Sequence, residues 1–276
     1  MKKNKPSRQA RSGTTTTLLL LAALMCGQSP IWGQQDTSGK EETSSARPAS
    51  EEREVSLNPK KFARNFFSDQ KMIWTFPAKA MTGSRLVPTL AVLGAVAGTV
   101  ALDPAEGRYF RRNGDSLRHF NNILSETNTT NAIFAVPVAF YGVGLIGGDK
   151  YVQQTGLLAL EAWIDIDILD EGIRTIARRR RPIDISPQGN FSDTWLKTAT
   201  SLGAGGFPSG HTGWAFAVAT VVAHRHSKHK WVPYVAYGLA AMDAFSRLST
   251  SQHFASDILV GAVLGYSVGR FVVLRK

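Results

Sequence analysis

The 276-residue sequence has a single cysteine, Cys26. One cysteine excludes an intramolecular disulfide and any cysteine-based metal site. Period-two alternation is also missing: no run alternates apolar and polar residues for long, so strands are not expected. No internal repeat stands out. Acidic residues are in deficit, 21 against 32 lysines and arginines, leaving a net charge of +11. A basic balance fits nucleic acid, an anionic membrane surface or anionic substrates. No nucleic-acid module and no basic stripe interleaved with aromatics is present, which removes the first of the three.

What is there divides into three parts. Residues 1–33 read as a signal peptide or N-terminal anchor. Lys2, Lys3, Lys5, Arg8 and Arg11 precede a short apolar run, "TTTTLLLLAALMCG". Residues 34–59 are polar, aperiodic and rich in Ser, Thr and Glu, the composition of a disordered linker. Residues 60–276 form a helical domain. Its first stretch, "FARNFFSDQKMIWTFPAKAM", mixes aromatics with cations, as in a helix on a membrane surface or across a bundle end. Six helical segments follow, at 86–102, 131–148, 151–179, 212–226, 231–245 and 254–274. Their pattern predicts an all-α six-helix bundle embedded in a membrane, with a soluble periplasmic bundle as the alternative. Glu161, Asp165, Asp167, Asp170 and Glu171 make the third segment too polar to face lipid. Internal salt bridges are the expected use of Asp165 and Asp167. Gly94 with Gly98, and Gly261 with Gly265, predict close helix approaches. The basic loop "HRHSKHK" (224–230) marks the cytoplasmic side, with the opposite rim in the periplasm. His119 is expected at the surface.

Three clusters carry chemistry: Arg181-Pro182, then Pro208-Ser209-Gly210-His211, then Ser246-Arg247 with His253 and Asp257. Each falls at a helix end, so all can converge at one rim. His253 and Asp257 are four apart and share a helix face. A carboxylate there can accept the Nδ1 proton and leave Nε2 bare as a nucleophile. Arg247 and Arg181 offer planar forks for phosphate oxygens. Backbone N–H groups at Ser209 and Gly210, at a helix start, add donors. His211 can protonate a leaving oxygen. Guanidiniums and amides supply the charge, so no metal and no cofactor are expected. Arg178, Arg179 and Arg180 are assigned to a solvated or membrane-contacting face.

These clusters resemble the tripartite signature of the type 2 phosphatidic acid phosphatase and vanadium haloperoxidase superfamily, K-x6-RP, PSGH and SR-x5-H-x3-D. The second and third parts are complete. The first has Arg174 at the lysine position, a cation of different geometry. The resemblance spans roughly residues 85–274. It implies a helical bundle, a phosphohistidine on His253, His211 as general acid, and phosphate held by Arg174, Arg181, Ser209, Gly210 and Arg247. It also implies a phosphomonoesterase or pyrophosphatase acting on lipid phosphates or similar esters at the periplasmic face of an inner membrane. Vanadate-dependent halide oxidation, or a phosphate-binding membrane protein with weak turnover, would use the same pocket. Selective contacts to the leaving group are expected from residues 103–130 and 183–205, which carry no signature. Oligomeric state is not legible.

Overall fold

The computed structural model describes residues 59–275. The expected signal or anchor, and all of the linker except residue 59, lie outside the described residues. Eight α-helices follow: α1 (Pro59–Ala80), α2 (Leu86–Asn113), α3 (Arg118–Ile123), α4 (Glu126–Gly147), α5 (Lys150–Ala177), α6 (Gly210–Arg225), α7 (Trp231–Ser249) and α8 (Ala255–Ser267). A π-helical turn, Val268–Val273, extends α8. The six expected segments correspond to α2 and α4–α8, with α1 and the short α3 in addition. No strand occurs among the described residues.

Helix α6 is the axis of the bundle. It packs against α4, α5, α7 and α8. Ala215, Ala217, Val218, Ala219, Val221, Val222 and Ala223 are all buried. A helix apolar on every side belongs in a core. Leu158, Ala159, Ala162, Ile166 and Leu169 of α5 close one flank, and Val268, Val272 and Val273 another. Small residues set the α6–α8 spacing. A Cβ on Gly261 would lie 2.5 Å from the Ser209 carbonyl oxygen, and one on Gly265 would collide with that of Gly213. The second small-residue pair has a different outcome: nothing described lies within 4 Å of a Cβ at Gly94 or Gly98. That part of α2 stands clear of the packed helices.

Apolar side chains cover much of the outside. Val87, Leu90, Leu93 and Leu102 of α2, Phe134, Val138 and Leu145 of α4, and Tyr234 and Leu239 of α7 are exposed. The stretch Gly83–Gly147 and the segment Ala255–Val273 are each long and apolar enough to cross a membrane. Exposed apolar side chains in such number favour a nonaqueous neighbour.

Two assignments change. His226, expected in a basic surface loop, is buried between Phe140 and Tyr151, with ring centroids at 5.2 and 5.6 Å. Asp167, expected in a salt bridge, accepts the indole N–H of Trp214 at 3.1 Å. Asp165 accepts an amide N–H of Gln70 from α1 at 2.9 Å. His119 is exposed, as expected.

Candidate active site

One end of the bundle gathers the N-termini of α4, α6 and α8 and the C-termini of α5 and α7. Three positive dipole ends therefore meet there beside two carbonyl ends, and the leading N–H groups of α8 are already held by the carboxylates of Glu106 and Asp103. Helix α5 stops at Ala177 because Arg178 takes a left-handed conformation, φ 47°. The helix does not persist to Arg181, so Arg174 and Arg181 are not joined by helical spacing. The returning loop still brings both to one cavity. Its volume is about 110 Å³, room for a small polar group rather than a lipid body. Arg174, Arg181, Arg247, His211 and His253 line it, together with Glu126, Trp214 and Gln252.

His253 sits in the short link between α7 and α8 and is buried. Its Nδ1 lies 2.7 Å from the carbonyl oxygen of Gly206. A carbonyl only accepts, so Nδ1 carries the proton and Nε2 keeps its lone pair. This corrects the sequence-level assignment, in which Asp257 takes that proton. The nearest Asp257 oxygen is 3.7 Å from Nδ1, too long for a hydrogen bond. Burial holds the imidazole below its ordinary pKa, with Asp257 pulling upward and Arg181 and Arg174 adding to the downward shift. Gly206 is fixed in turn by its own N–H, which donates to the Arg179 carbonyl at 2.7 Å. Gly205 before it has φ 131°, a conformation side-chained residues rarely adopt.

Asp257 serves a different structure. Its Oδ1 accepts from Arg179 Nη1 at 2.5 Å, and its Oδ2 from the Phe254 N–H at 2.8 Å. Arg179 also reaches Asp103 of α2 at 2.6 Å and the Ser256 hydroxyl at 2.7 Å. Its guanidinium lies 4.4 Å from the Trp195 ring centre and 4.2 Å from that of Phe254. Arg179, Asp103 and Asp257 are all buried. Arg179 is therefore not part of a solvated face. It is the buried tie between α2, the loop after α5 and the start of α8. A run of four arginines hides such a residue, because nothing local separates the buried member from exposed Arg180.

The three lining guanidiniums are held from behind. Arg174 donates to Glu171 at 3.1 Å and through Nε to the Pro208 carbonyl at 3.2 Å. Gly210 admits it, since any Cβ there would collide with Nη2 of Arg174. Arg247 donates to the Leu124 carbonyl and to the Ser246 hydroxyl. Arg181 donates to Gln252 at 3.3 Å.

Ser209 and Gly210 are buried at the start of α6 and do not line the cavity. The Ser209 N–H donates to the Asp257 carbonyl at 3.0 Å, and its hydroxyl pairs with Thr212. It locks the second and third clusters together, and its N–H is not available to a phosphate. His211 lines the cavity from the first turn of α6, its Nε2 2.7 Å from the Thr130 hydroxyl. Of the segments expected to select the leaving group, 103–130 supplies Glu126. The other supplies Thr194 and Trp195, which contact Arg179 rather than the cavity. Glu126, Trp214, Gln252 and Thr130 were not legible in the sequence. Each has its place only because a distant helix end arrives there.

Comparison with known proteins places this geometry. Residues 158–275 match the PAP2 superfamily. A 67-residue stretch is 40% identical to a lipid A 1-phosphatase of Porphyromonas gingivalis, covering 24% of this chain and 15% of that protein's length. The fold also aligns, with a TM-score of 0.41 and 18% identity, to the crystal structure of the first transmembrane PAP2 type phosphatidylglycerolphosphate phosphatase from Bacillus subtilis, over 77% of this chain and 94% of the other. The segment that matches that superfamily, residues 158–275, carries all three arginines and both histidines of the cavity.

Proposed function

We propose that this chain is a metal-independent phosphatase that hydrolyses phosphate monoesters or diphosphates of lipids through a phosphohistidine on His253. One observation carries the reading. The Nδ1 proton of His253 is committed to Gly206, which leaves Nε2 as a nucleophile in a cavity lined by three guanidiniums.

The chemistry follows from these positions. Arg174, Arg181 and Arg247 hold the terminal phosphate and offset its charge in the transition state. Nε2 of His253 attacks phosphorus. The P–N bond forms as the bond to the leaving oxygen breaks, and His211 gives that oxygen its proton. The positive charge on His253 is stabilised by the Gly206 carbonyl and by the Asp257 carboxylate at 3.7 Å. A water then attacks the phosphohistidine, His211 takes the proton, the P–N bond breaks and inorganic phosphate leaves. The small cavity suits a terminal phosphate whose lipid portion remains outside, against the apolar surface. The lipid A 1-phosphatase similarity supports a phosphorylated lipid as substrate. The bundle lies in the inner membrane with this rim toward the periplasm. The exposed Lys228 and Lys230 at the opposite end support that orientation.

The test is a phosphoryl-trapping experiment on the full chain in detergent, with EDTA present. Wild type should yield an acid-labile phosphohistidine and steady turnover of a lipid phosphate. His253→Ala should yield neither, with turnover down by at least about 10³-fold. Near-normal turnover in His253→Ala, or activity lost to EDTA and restored by a divalent cation, would overturn the reading.

A further inference from the structure

The general acid has a support that no part of the three clusters encodes. We propose that Thr130 of α4 is a positioning residue for His211, holding its ring by Nε2 so that the leaving oxygen is protonated. The proposal rests on the assignment of His211 as general acid above.

The first observation is the 2.7 Å contact between the Thr130 hydroxyl and Nε2. A threonine inside a helix ordinarily turns its hydroxyl back to a carbonyl of the preceding turn. Thr129, its neighbour, does this, donating to Ser125 at 3.1 Å and Glu126 at 3.3 Å. Thr130 instead spans from α4 to α6. A hydroxyl both donates and accepts. It accepts from the Nε2–H of the ring both before and after transfer, while the proton given to the leaving oxygen departs from Nδ1, so the contact survives that departure.

The second observation is independent of that hydrogen bond. The His211 ring packs on Trp214, centroids 4.9 Å apart. Trp214 packs on Trp163 at 5.7 Å, and Trp163 takes the edge of Phe134 at 5.8 Å. Phe134 lies four residues after Thr130, on the same face of α4. The Trp214 indole is also pinned to Asp167. Helix α4 thus fixes the ring twice, by a hydroxyl on its nitrogen and by a relay of tilted and edge-on aromatic contacts that ends on its ring. Glu126, one turn before Thr130, lines the same cavity. The first turns of α4 are part of the active-site wall, although α4 lies outside residues 158–275.

A residue that acts through the general acid shows itself in leaving-group dependence. A nitrophenolate departs without help, whereas an alkoxide needs the proton. The experiment measures kcat and KM on p-nitrophenyl phosphate and on a short-chain alkyl phosphate, for the full chain in detergent. His211→Ala is the reference and should lose at least about 100-fold more on the alkyl ester than on the nitrophenyl ester. Thr130→Val should show the same asymmetry at smaller amplitude, about tenfold, in kcat with KM within about twofold. Thr130→Ser should return both esters to within about threefold of wild type. Thr130→Ala, judged beside its melting curve, repeats the measurement should the valine variant misfold. Equal losses on both esters in the Thr130 variants, with His211→Ala still asymmetric, would overturn the proposal. Equal losses in His211→Ala would remove the general-acid assignment, and the proposal with it.

Discussion

Both ends of the bundle hold cations and a histidine; at the rim they line a cavity, and at the far end they pair with neighbouring helices. At the far end, Arg225 donates to the Thr155 hydroxyl at 2.8 Å and to the Tyr151 carbonyl at 3.1 Å, and lies 3.9 Å from the Tyr151 ring centre. The Tyr151 hydroxyl donates back to the Arg225 carbonyl. His226 shares Thr155 at 3.3 Å and is flanked by two aromatic rings. These contacts tie α5 to α6. At the rim, the arginines are buttressed from behind but face a cavity, and His253 lines the same cavity with Nδ1 committed to Gly206. Burial raises the value of each interaction at both ends. What separates structure from function is where the last donors point.

The comparison is most exposed to a pair of substitutions. Arg247→Ala should lower kcat/KM by at least about 10²-fold, the scale of losing one transition-state donor. Arg225→Ala should leave kcat/KM within about threefold while lowering the melting temperature, since it breaks a buried tie rather than a contact to substrate. Kinetics and thermal melts on the same detergent preparations check both. Comparable kinetic losses in the two variants would mean that the ends are not separate.

A smaller effect is expected at Arg174, the position where the family signature has lysine. Arg174→Lys keeps the charge beside Glu171 and should change kcat/KM by less than about tenfold, near 1.4 kcal/mol of transition-state binding. Arg174→Ala should cost more than the lysine variant on the same ester at fixed ionic strength. An alanine variant as active as wild type would assign Arg174 to helix pairing alone.

The smallest effect is a shift in pH dependence. Burial lowers the His253 pKa, so the neutral, nucleophilic ring persists below the ordinary histidine value of about 6.5. Activity that requires the neutral form is therefore lost only as pH falls through that lowered value. The acid limb of kcat/KM should lie below pH 6.5, once the substrate's own ionisation near pH 6 has been measured and removed. A limb at or above 6.5 would mean that the Asp257 charge outweighs burial.

Much of this molecule could be read before any coordinates. The apolar segments gave six helices, five of them to about five residues at each end, because helical period and helix-end chemistry are local properties; α2 runs on to Asn113, well past the expected 102. The Gly261–Gly265 pair told of a close approach, and the three clusters told of a convergence at one helix-end rim. Arg179, Asp103, Glu126 and Thr130 were not legible. An arginine in a run, or a threonine in "NTTNA", has no local mark of what lies across from it. The same blindness put His226 at the surface and read a hydrogen bond from the four-residue spacing of His253 and Asp257. Spacing specifies a shared helix face, and the first of these two residues lies outside the helix.

The sequence by itself determined the all-helical architecture and which cations and histidines stand at the helix ends. Those follow from residue type and spacing. Only the tertiary structure decided the pairings: Gly206 as the proton acceptor of His253, Asp257 as the partner of Arg179, Thr130 as the support of His211. The physical reason is that a buried polar group must find a partner wherever the packing supplies one. In this bundle each of those partners comes from a separate element, many residues away along the chain or in the loop that the helices enclose.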